Sequence, residues 1–153
     1  MKTSRILAIG TASALLLVAA PAAAMADDVV RAGAYTVAVG TVIDGDLTVR
    51  SGTVIIHGHV KGDVRQTGGG GVIVGARGDV DGNVTERGVH SLHVHGSVDG
   101  NATETGSGDL VAFRTAEIVG NVTERDSGHL VTYRGADIEG DISEGGAGSR
   151  IRR

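Results

Sequence analysis

Val119-Gly120-Asn121-Val122-Thr123-Glu124 is the stretch whose reading decides the fold. Versions of it are centred on Gly45, Gly62, Gly82, Gly100, Gly120 and Gly140, at intervals of 17, 20, 18, 20 and 20 residues. A repeat near twenty residues, kept in one phase, is the signature of a chain that winds into stacked rungs. Two positions before each glycine stand Ile43, Val60, Val80, Val98, Ile118 and Ile138, and two positions after it Leu47, Val64, Val84, Ala102, Val122 and Ile142. Alternation along a strand puts both columns on one face, which must be the core. The glycine between them has core parity and no side chain, as expected of a bend or a close backbone approach.

A second strand lies about ten residues further on in each repeat. Its inward pairs are Val54/Ile56, Val72/Val74, Leu92/Val94, Leu110/Ala112 and Leu130/Thr132. Turn formers such as Thr105-Gly106-Ser107-Gly108 and Asp126-Ser127-Gly128 separate the strands. The longer rungs add residues after this second strand, at Phe113-Arg114-Thr115-Ala116 and Tyr133-Arg134-Gly135-Ala136. Composition agrees with a narrow stack. The chain of 153 residues holds 26 glycines and only three aromatics, Tyr35, Phe113 and Tyr133. Small aliphatic side chains fill such an interior; a rounder globule would lack the bulk. The fold expected is all-β: a single-stranded parallel β-helix, or β-solenoid, of about six rungs of 17–20 residues.

The N-terminus reads as an export signal over residues 1–26. Lys2 and Arg5 precede the apolar run Ile6 to Ala20, and Ala24-Met25-Ala26 fits a cleavage site ahead of Asp27. Residues 27–40 are expected to form an N-terminal cap or leading strand, and residues 41–153 the repeat domain. Cleavage removes two of the 14 basic residues and none of the 18 acidic ones, leaving 12 against 18 and a net charge of −6. That balance argues against nucleic acid or an anionic membrane surface as partner. With no cysteine, neither a lipid-anchored thiol nor a disulfide framework is available. The expected localisation is secreted, extracellular or envelope-associated, with no stable membrane span once the signal is removed.

Three columns carry candidate chemistry. Asp46, Asp63, Asn83, Asn101, Asn121 and Asp141 follow the glycines, with Thr48, Thr85, Thr103, Thr123 and Ser143 two residues later. The candidate surface ladder is Asn83, Thr85, Asn101, Thr103, Asn121 and Thr123. A flat array of this kind suits ice or a repetitive polysaccharide. The plainer reading is hydrogen bonding along the stack, favoured because Arg65 interrupts the Thr column. Glu86, Glu104, Glu124 and Glu144 form a second column beside Arg87 and Arg125. Like charges at rung spacing repel, and the expectation is a solvated corner with splayed side chains, relieved by the arginines or by calcium. His57/His59 and His93/His95 form His-x-His pairs. His57 and His95 lie two rungs apart with Arg77 between them, too far for one zinc ion, so they read as solvated surface histidines.

Neither a nucleophile, an acid–base pair nor a phosphate-cradling loop stands out, and every loop is short. Val54 to Val60 is spaced by six, as in left-handed hexapeptide acyltransferases, but that phase is not kept. The sequence therefore predicts no enzyme, no cofactor and no metal site.

Val60-Lys61-Gly62-Asp63-Val64, Val80-Asp81-Gly82-Asn83-Val84 and Ile138-Glu139-Gly140-Asp141-Ile142 resemble the repeats of bactofilins. Those are bacterial polymer-forming proteins, and the resemblance spans roughly residues 41 to 144. It implies a right-handed solenoid, end-to-end homo-oligomerisation through the terminal rungs, with Ile151 as a candidate end contact, and a scaffolding role. Bactofilins are typically cytoplasmic, so the export signal is a departure. Gly106-Ser107-Gly108-Asp109 also resembles repeats of secreted bacterial adhesins. The expected function is an exported, non-catalytic structural protein of the cell envelope or surface, with itself or envelope components as partners. The competing reading is a monomeric adhesin-like module using a flat face for polysaccharide, ice or calcium.

Overall fold

The computed structural model describes Ala24–Met25 and residues 27–153. The expected signal peptide lies outside the described residues, apart from the backbone of Ala24–Met25. The chain is a parallel β-solenoid whose about six turns lay down seven levels of strands, each level giving one strand to each of three seven-stranded sheets. The first sheet stacks Ala24–Met25, Val42–Ile43, His59–Val60, Asp79–Val80, Ser97–Val98, Glu117–Ile118 and Asp137–Ile138. The second stacks Val29–Arg31, Leu47–Val49, Val64–Gln66, Val84–Gly88, Ala102–Gly106, Val122–Asp126 and Ile142–Glu144. The third stacks Tyr35–Val37, Val54–Ile56, Val72–Val74, Leu92–Val94, Leu110–Ala112, Leu130–Thr132 and Arg150–Arg152.

Pairing is in register throughout, so like sits on like: Leu92, Leu110 and Leu130 form one column, and Val84, Ala102 and Val122 another. The columns expected around the glycines are the core. Ile43, Val60, Val80, Val98 and Ile118 are at most 1% exposed, as are Leu47, Val64, Val84, Ala102 and Val122. The inward pairs of the third sheet are equally closed down to Leu130. Packing of these small aliphatic columns between three sheets is the main favourable term, since no rung alone shields its inner face.

Each glycine of the repeat is both the bend and the close approach expected of it. The chain turns a corner there, and the residues on either side belong to different sheets. The reason is steric and polar together. A Cβ on Gly120 would lie 2.4 Å from the carbonyl oxygen of Gly100, and one on Gly140 would lie 2.4 Å from that of Gly120. Only glycine lets the rungs approach this closely. The longer rungs absorb their extra residues at the corner between the third and first sheets, closed by Ala116 N–H to Phe113 O at 2.9 Å and Ala136 N–H to Tyr133 O at 3.1 Å.

Candidate functional site

The Asn/Asp column runs down the corner between the first and second sheets as one hydrogen-bonded ladder. The backbone N–H of Asp46 donates to Asp28 Oδ1 at 2.9 Å, and that of Asp63 to Asp46 Oδ1 at 2.8 Å. The series continues from Asn83 to Asp63, Asn101 to Asn83, Asn121 to Asn101 and Asp141 to Asn121, all at 2.8–2.9 Å. The Asn83 and Asn101 side-chain amides add bonds to the oxygens one rung earlier. Asn83, Asn101 and Asn121 thus spend their oxygens inside the stack, where they satisfy corner N–H groups that no strand ladder reaches. Thr85, Thr103 and Thr123 line up in register on the outer face of the second sheet.

The Glu column is not at a solvated corner. Glu86, Glu104 and Glu124 are fully buried inside the solenoid, on the inner face of the second sheet beside Val84, Ala102 and Val122. Strand residues two apart share a face, and these strands run on past the threonine instead of turning after it. Arg87 and Arg125 consequently project outward and are exposed, so they are not the partners expected for these carboxyls. The column reads Val49, Gln66, Glu86, Glu104, Glu124 and Glu144, each in register with the next. Gln66 donates from Nε2 to the carbonyls of Gly68 at 2.8 Å and Gly52 at 3.2 Å. Its Oε1 and both carboxyl oxygens of Glu86, Glu104 and Glu124 are buried without a hydrogen-bond partner. Burial pushes Glu86 up to about 7. Burial and the neighbouring carboxyls push Glu104 up to about 9. Glu124 is raised by burial and by Glu144, with a partial offset from Glu104 and the nearby Gly128 backbone.

Of the four histidines in His-x-His pairs, His57 is exposed as expected, while His59, His93 and His95 are half-buried. His95 stacks on Phe113 with centroids 3.8 Å apart, Phe113 stacks on Tyr133 at 5.3 Å, and His93 meets Phe113 edge-on at 5.6 Å. Burial holds both His93 and His95 below the usual imidazole range. His59 Nε2 lies 2.7 Å from Asp81 Oδ1 and 3.8 Å from Asp79 Oδ2. These three donor atoms, within 4.8 Å of one another, could hold a divalent cation, but the histidine already has a carboxylate partner.

The ends of the solenoid are where the fold is incomplete. Among the described residues, Val29–Arg31 and Tyr35–Val37 at one end, and Ile142–Glu144 and Arg150–Arg152 at the other, each pair on one side only. An unpaired edge offers a row of N–H and C=O groups to another chain. The N-terminal end is covered in part by Tyr35, over whose ring the Arg31 guanidinium sits at 4.9 Å. At the C-terminal end Ala136, Ile138 and Ile142 are only partly buried. They floor a cavity of about 210 Å³ rimmed by Arg150 and Arg152. Ile151 is on the last strand, in register with Val131 and facing outward beside this opening.

Among the described residues no helix is long and apolar enough to cross a membrane. No curated protein and no solved structure matches the chain. The family described as bactofilin, polymer-forming cytoskeletal, matches residues 35–143, well over half of the sequence and all but the outermost strands of the solenoid. In repeat, fold and family match alike, this chain belongs to the bactofilins.

Proposed function

We propose that the chain is an exported structural protein that assembles end to end in the bacterial cell envelope or at its surface. The observation that carries the assembly is the pair of open solenoid ends in a polymer-forming family, above all the uncovered Ala136, Ile138 and Ile142 beside the edge strand Arg150–Arg152. Stacking a second copy there would pair that edge and bury apolar side chains at once. The N-terminal pattern of charge, apolar run and small residues supports export. The competing reading, a monomeric module binding polysaccharide, ice or calcium on a flat face, keeps only the outward threonines. The asparagine oxygens are occupied within the stack and the glutamates are inside.

Sedimentation of the purified protein over a range of concentrations tests the assembly. Species that lengthen with concentration, and fail to do so in Ile151→Asp, are the expected result; a strictly monomeric protein at high concentration overturns it. Export is tested separately by sequencing the N-terminus of the protein recovered from cell fractions. An envelope or medium fraction beginning at Asp27 is expected, and a cytoplasmic protein retaining Met1 contradicts it.

A further inference from the structure

Glu86, Glu104 and Glu124 have no role in an assembly through the ends, yet they occupy core positions that Val49 and Gln66 fill in earlier rungs. Three features of their surroundings belong together. Each side chain is 0% exposed. Each is in register with the next, at the rung spacing of about 4.8 Å. And six of the buried oxygens without partners are theirs. Ionised carboxylates only accept hydrogen bonds, so a stack of them has nothing to give one another. Placing several bare charges together in a dry interior is costly by any dielectric model. A proton on one carboxyl converts a repelling pair into a donor and an acceptor, as in carboxyl pairs that share a proton.

Among the described residues no lysine or arginine is buried beside the column to take the proton's place. On its own sheet the neighbours are Gln66 at one end and Glu144 at the other. The first sheet turns Val80, Val98 and Ile118 toward the same interior, and the third turns Leu92, Val94, Leu110, Ala112, Leu130 and Thr132. The third sheet's cations of inward parity are Arg150 and Arg152, both in the last rung, and Arg150 Nη1 donates to Ile142 O at 3.3 Å. In the turns, Arg87, His90, Arg125, Asp126 and His129 are exposed and Asp109 is half-buried with its Oδ1 accepting from His129 N–H.

We propose that Glu86, Glu104 and Glu124 are a proton-linked lock: protons shared along this column hold the C-terminal rungs closed, and losing them as the pH rises loosens those rungs. The folded chain holds the carboxyls above their ordinary range, so between about pH 4.5 and pH 9 it binds more protons than the unfolded chain. Stability from the column is therefore complete below about 4.5 and falls as pH rises through about 7 and then about 9. The inference does not depend on whether copies join end to end.

The experiment is thermal unfolding of the full chain from pH 5 to pH 9.5, beside the variant Glu86→Gln/Glu104→Gln/Glu124→Gln. The native midpoint is expected to fall by about 10 °C over that range, and the variant, which carries its own donors, to lose most of that slope. Should the variant fail to fold, the infrared absorption of protonated carboxyl groups in the native protein is a second readout. A protonated-carboxyl band that persists at pH 7 and disappears toward pH 9.5 supports the lock. Full ionisation at pH 7, an unchanged midpoint across the range, or a midpoint that follows chelator and added calcium rather than pH would each overturn it.

Discussion

In the N-terminal rungs the inner column of the second sheet holds Val49 and then Gln66, whose amide is anchored to the carbonyls of Gly52 and Gly68. In the C-terminal rungs the same column holds Glu86, Glu104 and Glu124, equally buried but without donors. Glycine corners, register and neighbouring aliphatic columns are the same in both regions, while the second-sheet strands lengthen from three residues to five. The difference teaches that solenoid geometry and core chemistry are separable: the corners and ladders set the shape, and one column of side chains sets how that shape responds to protons.

If the corners set the shape in both regions, damaging one should be severe wherever it is placed. Gly62→Val and Gly120→Val each force a side chain into backbone of the previous rung, 2.6 and 2.4 Å from the nearest carbonyl oxygen already at Cβ. Each should cost about 4 kcal/mol or more, read as loss of the cooperative circular-dichroism transition. Unequal effects would show that the two regions differ in backbone as well as in chemistry.

Extending the acidic column by one rung tests the chemistry. Gln66→Glu exchanges an amide donor facing two carbonyls for a carboxyl beside Glu86. At pH 8 it should destabilise by about 2 kcal/mol, the cost of a buried unsatisfied group, and near pH 4.5 most of that loss should return as the new carboxyl protonates. A loss that is the same at both pH values would mean that packing, and not charge, separates the two regions.

The smallest expected effect lies in the turn after the column. Asp126 has φ 87° where its register neighbours in the preceding rungs are Gly88 and Gly106. Asp126→Gly should relieve that conformation and stabilise by about 0.5–1 kcal/mol, seen as a slightly higher unfolding midpoint. No gain would mean that the Asp126 side chain compensates the strain locally.

The legible part of this protein is the part that repeats. Ile118 and Val122 flank Gly120 in the same way that Ile43 and Leu47 flank Gly45, and a column so maintained can only be a core. The glutamates were misplaced for a reason that the sequence contains. Glu124 has the same parity as Val122, but charge argued for solvent, and parity matters only if the strand continues past Thr123. Whether it does is a matter of where the corner falls.

By itself, then, the sequence determined the rung length, the stacking columns, the glycines at close approach and the family resemblance, because all of these are periodic. The tertiary structure alone decided that three sheets, not a bent pair of strands, enclose the core. It also decided that the asparagine oxygens turn into the ladder and that the glutamate side chains point inward. Those choices depend on what the neighbouring rung offers across about 4.8 Å, a distance that a linear reading of the chain does not contain.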